Sequence, residues 1–179
     1  MKLELENWYK LLAPRPAVII STVNGEGQVN AAPFSFIMPL SGDPAMVAFA
    51  SAPEHHTIRN IKETEVFVVN IPGRNILDKL WICAKSFDYG VSEIEKAGLT
   101  AEKSENVKAP RIKESIGFFE CELGRMEEIG GNVFVIGNIL LAEVKDEFFS
   151  GGKYDIKKAA PLTHIGGQAF SAPGEIIEM

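Results

Sequence analysis

The chain has 179 residues, of which 46% are hydrophobic and 23% charged, and this balance and length predict one globular domain spanning residues 1–179. Eighteen Lys and Arg against twenty-four Asp and Glu leave a formal charge of -6. No basic field is available to grip nucleic acid or anionic lipid, so neither partner is expected.

In chain order, 3–12 reads as a short helix with Leu5, Trp8, Leu11 and Leu12 on one side, stopped by Pro14 and Pro16. The β-branched run 17–23 and the extended run 28–36 flank Asn24-Gly25-Glu26-Gly27, which predicts a tight hairpin at Asn24-Gly25. A second turn at Ser41-Gly42-Asp43-Pro44 leads to a strand over 45–50. Residues 57–63 are predicted helical, 66–71 a buried strand closed by Pro72-Gly73, and 75–84 an amphipathic helix capped by Asn75. From 85 to 114 the pattern weakens, with a short helical piece at 92–97, and a long surface excursion is expected. Two long strands, 115–129 and 132–149, flank Gly130-Gly131, while 155–159 forms one helical turn and 162–165 leads into Gly166-Gly167. Six or more strands with hairpin links and only short helices argue for an antiparallel β-barrel with helical additions, not a βαβ fold.

No apolar core of signal-peptide length opens the chain, and no apolar run reaches a membrane span, so a cytoplasmic protein without a membrane partner is expected. Cys83 and Cys121 lie far apart within apolar patterns, as reduced and buried thiols do. Three histidines and two cysteines lack metal-ligand spacing, so no zinc site is expected.

Two stretches carry chemistry. In Asn30-Ala31-Ala32-Pro33-Phe34-Ser35-Phe36 small residues and a proline sit between aromatics, a shelf where a flat ligand can approach the backbone, or else an edge strand that ends at its proline. In Ser51-Ala52-Pro53-Glu54-His55-His56-Thr57-Ile58-Arg59-Asn60 a strand ends and a helix begins. Free first-turn N–H groups beside imidazole, hydroxyl and guanidinium suit a phosphate monoester. Taken singly, Thr57 is a helix cap with solvated charges around it. No residue stands out as a nucleophile, and Gly25-Glu26-Gly27 lacks the third glycine and the helix of a dinucleotide fingerprint.

Arg15-Pro16, Asn30-Ala31-Ala32-Pro33-Phe34-Ser35, Ser51, Thr57-Ile58-Arg59-Asn60-Ile61, Phe67-Val68-Val69-Asn70 and Gly166-Gly167 occur in an order that resembles the flavin reductase-like, FMN-binding split-barrel family, and within it the flavoredoxin branch. The likeness runs from about Ala13 to Phe170. It implies a mainly β fold, an antiparallel split β-barrel of Greek-key type with short helical additions, which holds FMN noncovalently near the interface of a homodimer. Carried over, Asn30, Ala31, Ala32, Phe34 and Ser35 would line the isoalloxazine and ribityl region, Ser51 and Ala52 would extend that wall, and His56, Thr57 and Arg59 would hold the phosphate. Tyr89-Gly90 before Glu93, with Gly98-Leu99-Thr100, resembles a loop over the cofactor, and Lys85 is a further phosphate neighbour.

One departure bears on the subgroup. Dedicated reductases of free flavin often carry a histidine in the strand after the second hairpin, where this chain has Gly131-Asn132-Val133-Phe134-Val135-Ile136-Gly137. The resemblance therefore implies an FMN-dependent oxidoreductase that takes hydride from NAD(P)H or electrons from a protein donor. The alternatives are an FMN-binding protein without turnover and an NAD(P)H:flavin reductase supplying free reduced flavin.

Overall fold

Val18-Ile19-Ile20 fixes the architecture, because apolar residues at successive strand positions point to opposite faces. Ile20 joins Phe49, Ile58, Ile61, Phe67 and Val135 in one core, whereas Ile19 joins Ile76, Leu80, Ile94, Leu99 and Ile112 in a second. The computed structural model describes residues 2–177.

The strands are β1 (Arg15–Pro16), β2 (Val18–Val23), β3 (Val29–Phe34), β4 (Ile37–Gly42), β5 (Ala45–Ser51), β6 (Val66–Ile71), β7 (Ala101–Glu102) and β8 (Arg111–Ile112). After them come β9 (Gly117–Ile129), β10 (Asn132–Val144), β11 (Phe149–Ser150), β12 (Lys153–Tyr154), β13 (Thr163–Gly166) and β14 (Ala169–Ser171). Helices α1 (His56–Thr64), α2 (Leu77–Cys83), α3 (Glu93–Lys96) and α4 (Ile156–Ala159) are short. Among the described residues no helix is long and apolar enough to cross a membrane.

Seven strands form one sheet in the order β3-β2-β6-β9-β10-β5-β4, antiparallel at every step. Its end strands, β3 and β4, follow one another in the chain, yet no ladder joins them. The expected antiparallel barrel is thus present in split form, with α1 packed over the first core. Register shifts in β10 and β4 mark bulges that bend these strands. At Gly137 a Cβ would collide with the ring of buried Phe67, so only glycine lets β10 pass there.

Several expectations need correction. The N-terminal helix is a 3-10 helix, Leu5–Leu12, with no buried residue, so its apolar side covers nothing within this chain. Asn75 does not cap the helix after it: a 3-10 turn, Arg74–Ile76, intervenes and α2 starts from Ile76 without a side-chain cap. The turn at Asn24 spans 24–28, because Asn24 Oδ1 accepts from the N–H groups of Glu26 (3.1 Å) and Gln28 (2.9 Å) and closes a wider loop. At Gly130-Gly131 both residues are left-handed (φ +58° and +82°), as a two-residue hairpin turn requires. The second long strand stops at Val144, and a 3-10 turn, Asp146–Phe148, follows.

The segment 85–114 is not a surface excursion. Ile94, Leu99 and Ile112 are core residues, and β7 pairs with β8. Polar anchors pull it in: Asn70 Oδ1 accepts from Ile112 N–H at 2.8 Å, and Arg111 Nε donates to the buried Glu120 at 2.7 Å. The amides of Glu105 (2.9 Å) and Asn106 (2.6 Å) donate to the same carboxylate. Burial pushes the Glu120 carboxyl up, but these donors outweigh it and hold it below the usual carboxylate range.

Candidate functional site

The period of two along β3 builds one wall of a cleft. Ala32 and Phe34 face the first core, while Ala31 faces the second. A cleft of about 400 Å³ opens beside Asn30, Ala32, Pro33 and Phe34. His55, His56 and Thr57 at the start of α1 form its second wall, with Glu54 next to them. Cys83, Lys85, Phe87 and Glu93 complete it. This volume lies in the range of small-molecule and cofactor sites.

The α1 wall is suited to an anion. His55 stands at the N-cap, and its side chain makes no cap hydrogen bond. In the first turn the Ile58 and Arg59 amides donate to the His55 carbonyl (3.0 and 3.2 Å), which leaves the His56 and Thr57 amides free at the positive end of the dipole. His55 itself is held from behind, with Nδ1 3.1 Å from Ser51 Oγ. Lys85 adds a positive charge at the cleft, and Glu54 is a negative one.

Behind the walls runs a buried polar network. Asn60 Nδ2 donates to Thr22 Oγ1 at 3.0 Å, and Tyr89 Oη donates to Asn60 Oδ1 at 2.9 Å. The Tyr89 ring meets His56 edge-on at 5.1 Å and carries the Arg59 guanidinium 3.7 Å from its centre. Asn30 lies between Thr57 and Glu93: with its nitrogen toward Glu93 it donates to Oε1 at 3.3 Å and accepts from the Thr57 hydroxyl at 3.2 Å, and all three groups are satisfied.

Glu93 is 4% exposed, and its Oε2 accepts from Ala31 N–H at 2.8 Å on the sheet's end strand. Burial pushes this carboxyl above the usual range, against the opposing pull of the Ala31 amide and His56. Beside it the Cys83 thiol is pushed up to about 12 by burial and by Glu93, so it stays protonated and is no nucleophile at neutral pH.

Of the residues read from the sequence, Asn30, Ala32, Phe34, His56, Thr57 and Lys85 meet at this cleft. The others serve it at one remove or lie elsewhere. Ala31 turns its side chain into the second core, Ser51 is buried against His55, and the Ala52 carbonyl accepts from the Ser51 hydroxyl at 3.2 Å. Arg59 is drawn onto Tyr89, which itself bonds Asn60. Ser35 faces a neighbouring groove of about 140 Å³ shared with Trp81, His164 and Phe170, where its Oγ is 3.0 Å from His164 Nδ1. Glu93, the buried acid of the cleft, carries no sequence signal beyond its place after Tyr89-Gly90, and the Ala31 amide that bonds it lies 62 residues earlier.

The end strand of a split antiparallel barrel and the start of α1 thus face one another across a single cleft. The chain belongs to the flavin reductase like domain family, whose model matches residues 11–172. A Methanothermobacter thermautotrophicus protein is 36% identical over 168 residues, covering 90% of this chain and 79% of its own length. Among solved structures, nitrilotriacetate monooxygenase component B from Bacillus cereus superposes with a TM-score of 0.91 at 28% identity, over 99% of this chain and 95% of that one. The flavoredoxin of Desulfovibrio vulgaris (Miyazaki F) shares the fold, with a TM-score of 0.89 at 23% identity, over 100% of this chain and 97% of that one.

Proposed function

We propose that the protein is an FMN-binding oxidoreductase that keeps its flavin in the cleft between β3 and α1. The observation that carries this reading is the uncapped start of α1, with Thr57, His56 and Lys85, opening onto the same cleft as the Ala32-Pro33-Phe34 wall. One end suits a phosphate and the other a flat ring. Residues and group fit, because the helix amides, the imidazoles and Lys85 supply the donors that a phosphate monoester needs. The cleft has one such end and the chain no dinucleotide fingerprint, which favours FMN over FAD.

FMN supplies a ring that accepts and returns a hydride or electrons. The residues of the chain hold and orient it: the α1 amides and Thr57 fix the phosphate, Lys85 balances its charge, and Phe34 and Ala32 keep water from one face of the ring. Denaturing the purified protein and separating the released pigment should give FMN. FAD as the sole flavin would overturn the assignment.

The donor is NAD(P)H or a reduced protein, and the flavin stays bound through the cycle. Anaerobic stopped-flow bleaching with NADH, NADPH and dithionite should show modest reduction by the nicotinamides and full reduction by dithionite. Rapid reduction followed by release of reduced FMN would instead make the protein a supplier of free flavin. We also propose a homodimer, since Leu5 (86% exposed), Leu11 (76%), Trp8, Phe36 and Met38 leave apolar surface uncovered. Light scattering should report twice 19.6 kDa, and a monomer that holds FMN tightly would refute the dimer.

A further inference from the structure

Glu93, Asn30 and Thr57 form a chain of three polar side chains from the second core to the cleft, and the Asn30 amide satisfies its neighbours with its nitrogen toward Glu93 and its oxygen toward Thr57. One amide atom of Asn30 lies 3.3 Å from Glu93 Oε1 and the other 3.2 Å from Thr57 Oγ1. When the nitrogen faces Glu93, the oxygen accepts the Thr57 hydroxyl proton, and that hydroxyl has no proton left for a ligand. When the oxygen faces Glu93, two acceptors oppose each other unless a proton sits on Glu93. In that orientation the Asn30 nitrogen donates to Thr57 Oγ1, and the hydroxyl proton is free to turn into the cleft.

We infer that Glu93 is a positioning residue whose protonation sets the direction of the Thr57 hydroxyl, so that an anionic phosphate entering the cleft draws one proton from solvent onto Glu93. The inference rests on the proposed FMN site and adds its regulation by pH. In the empty cleft Asn30 donates to Glu93 Oε1. With phosphate in place, solvent supplies one proton to Glu93 Oε1, Glu93 donates it to Asn30 Oδ1, and Asn30 turns over. Thr57 then donates to a phosphate oxygen. One O–H bond forms on Glu93 as one breaks in the solvent donor, no other covalent bond changes, and one negative charge beside the incoming dianion is removed. The raised affinity of Glu93 for protons, caused by its burial, favours this exchange.

The groups that face Glu93 are His56 from α1, Cys83 from α2 and Lys85 just beyond it, while β3 offers only neutral Asn30 and the Ala31 amide. His55 and His56 also line the cleft and the phosphate itself can take up a proton, so the test must isolate Glu93. Glu93→Gln does so, since its amide mimics the protonated acid: the nitrogen donates to Asn30 and the oxygen accepts from Ala31.

Apoprotein should be titrated with FMN, and with riboflavin, by calorimetry in buffers of different ionisation enthalpy. The wild type should take up close to one more proton per FMN than Glu93→Gln, and riboflavin should show no such difference. Over the pH range in which the wild type takes up that extra proton, its affinity for FMN should fall by close to a further tenfold per pH unit relative to Glu93→Gln. Thr57→Val, which keeps Glu93 and removes the hydroxyl, should lose the extra proton uptake. Equal uptake by the wild type and both variants sinks the relay while leaving the FMN site standing. A wild type that binds no FMN removes both.

Discussion

Among the described residues two glutamates are almost fully buried, Glu93 at the cleft (4% exposed) and Glu120 on β9 (0%), and they have opposite fates. Glu120 accepts from two backbone amides, the Asn106 side chain and Arg111, and its carboxyl is held low. Glu93 has one backbone amide and the reversible Asn30, and its carboxyl is pushed high. The number of donors, not the depth of burial, decides whether a buried carboxylate clasps the fold or remains free to exchange a proton.

The largest test of this contrast is Glu120→Ala. It removes the buried partner of the Arg111 guanidinium, 7% exposed, leaving it only the exposed Glu105 and Glu143, and detaches the amides of Glu105 and Asn106, so stability should fall by about 3–5 kcal/mol in a urea melt. Glu93→Gln should cost less than about 1 kcal/mol by the same measurement, because a carboxamide can meet the same partners. Equal losses would erase the distinction.

Next in size is the effect at the ligand. Thr57→Ala should weaken FMN binding by about 1–3 kcal/mol and leave riboflavin affinity nearly unchanged. Loss of both in parallel would detach Thr57 from the phosphate.

The pH dependence of stability sharpens the comparison further. The folded pKa of Glu120 is lowered, so its contribution is present above the unfolded value and is lost as pH falls through the folded one. Glu93 has the opposite sign: its raised folded pKa gives a contribution present at low pH and lost as pH rises through it. Acid titration of the melting curve should show the first in the wild type and not in Glu120→Gln. Smallest is Arg59→Ala, which removes only the guanidinium stacked on Tyr89 and should cost about 0.5–1 kcal/mol of stability with no change in FMN affinity. A large affinity loss would return Arg59 to the phosphate.

Local chemistry explains what was legible in the sequence. Gly130-Gly131 and the β-branched runs of β2 and β6 specify their own backbone, so the hairpin and the antiparallel class follow from short windows. The alternation in β3 and the α1 start placed Asn30, Ala32, Phe34, His56 and Thr57 at one cleft, since each depends on periodicity or on a helix end. Glu93 and Glu120 escaped because what distinguishes them is who donates to them, and those donors are set by packing between distant segments. The strand β4 also escaped: Ile37-Met38-Pro39-Leu40 lacks polar alternation, and its pairing with β5 supplies the pattern instead. Ser35 lies at the neighbouring groove because the chain turns beyond Phe34, which carries its hydroxyl to His164.

The missing side chain at Gly137 has a consequence for how the long ribbon of β9 and β10 finds its alignment. A slip of β10 by one residue would bring Ile136 or Asn138 over the Phe67 ring, where even a Cβ has no room. Misaligned pairings are therefore refused by steric exclusion, and the single glycine acts as an index mark that the strand must reach before the barrel can close around its core.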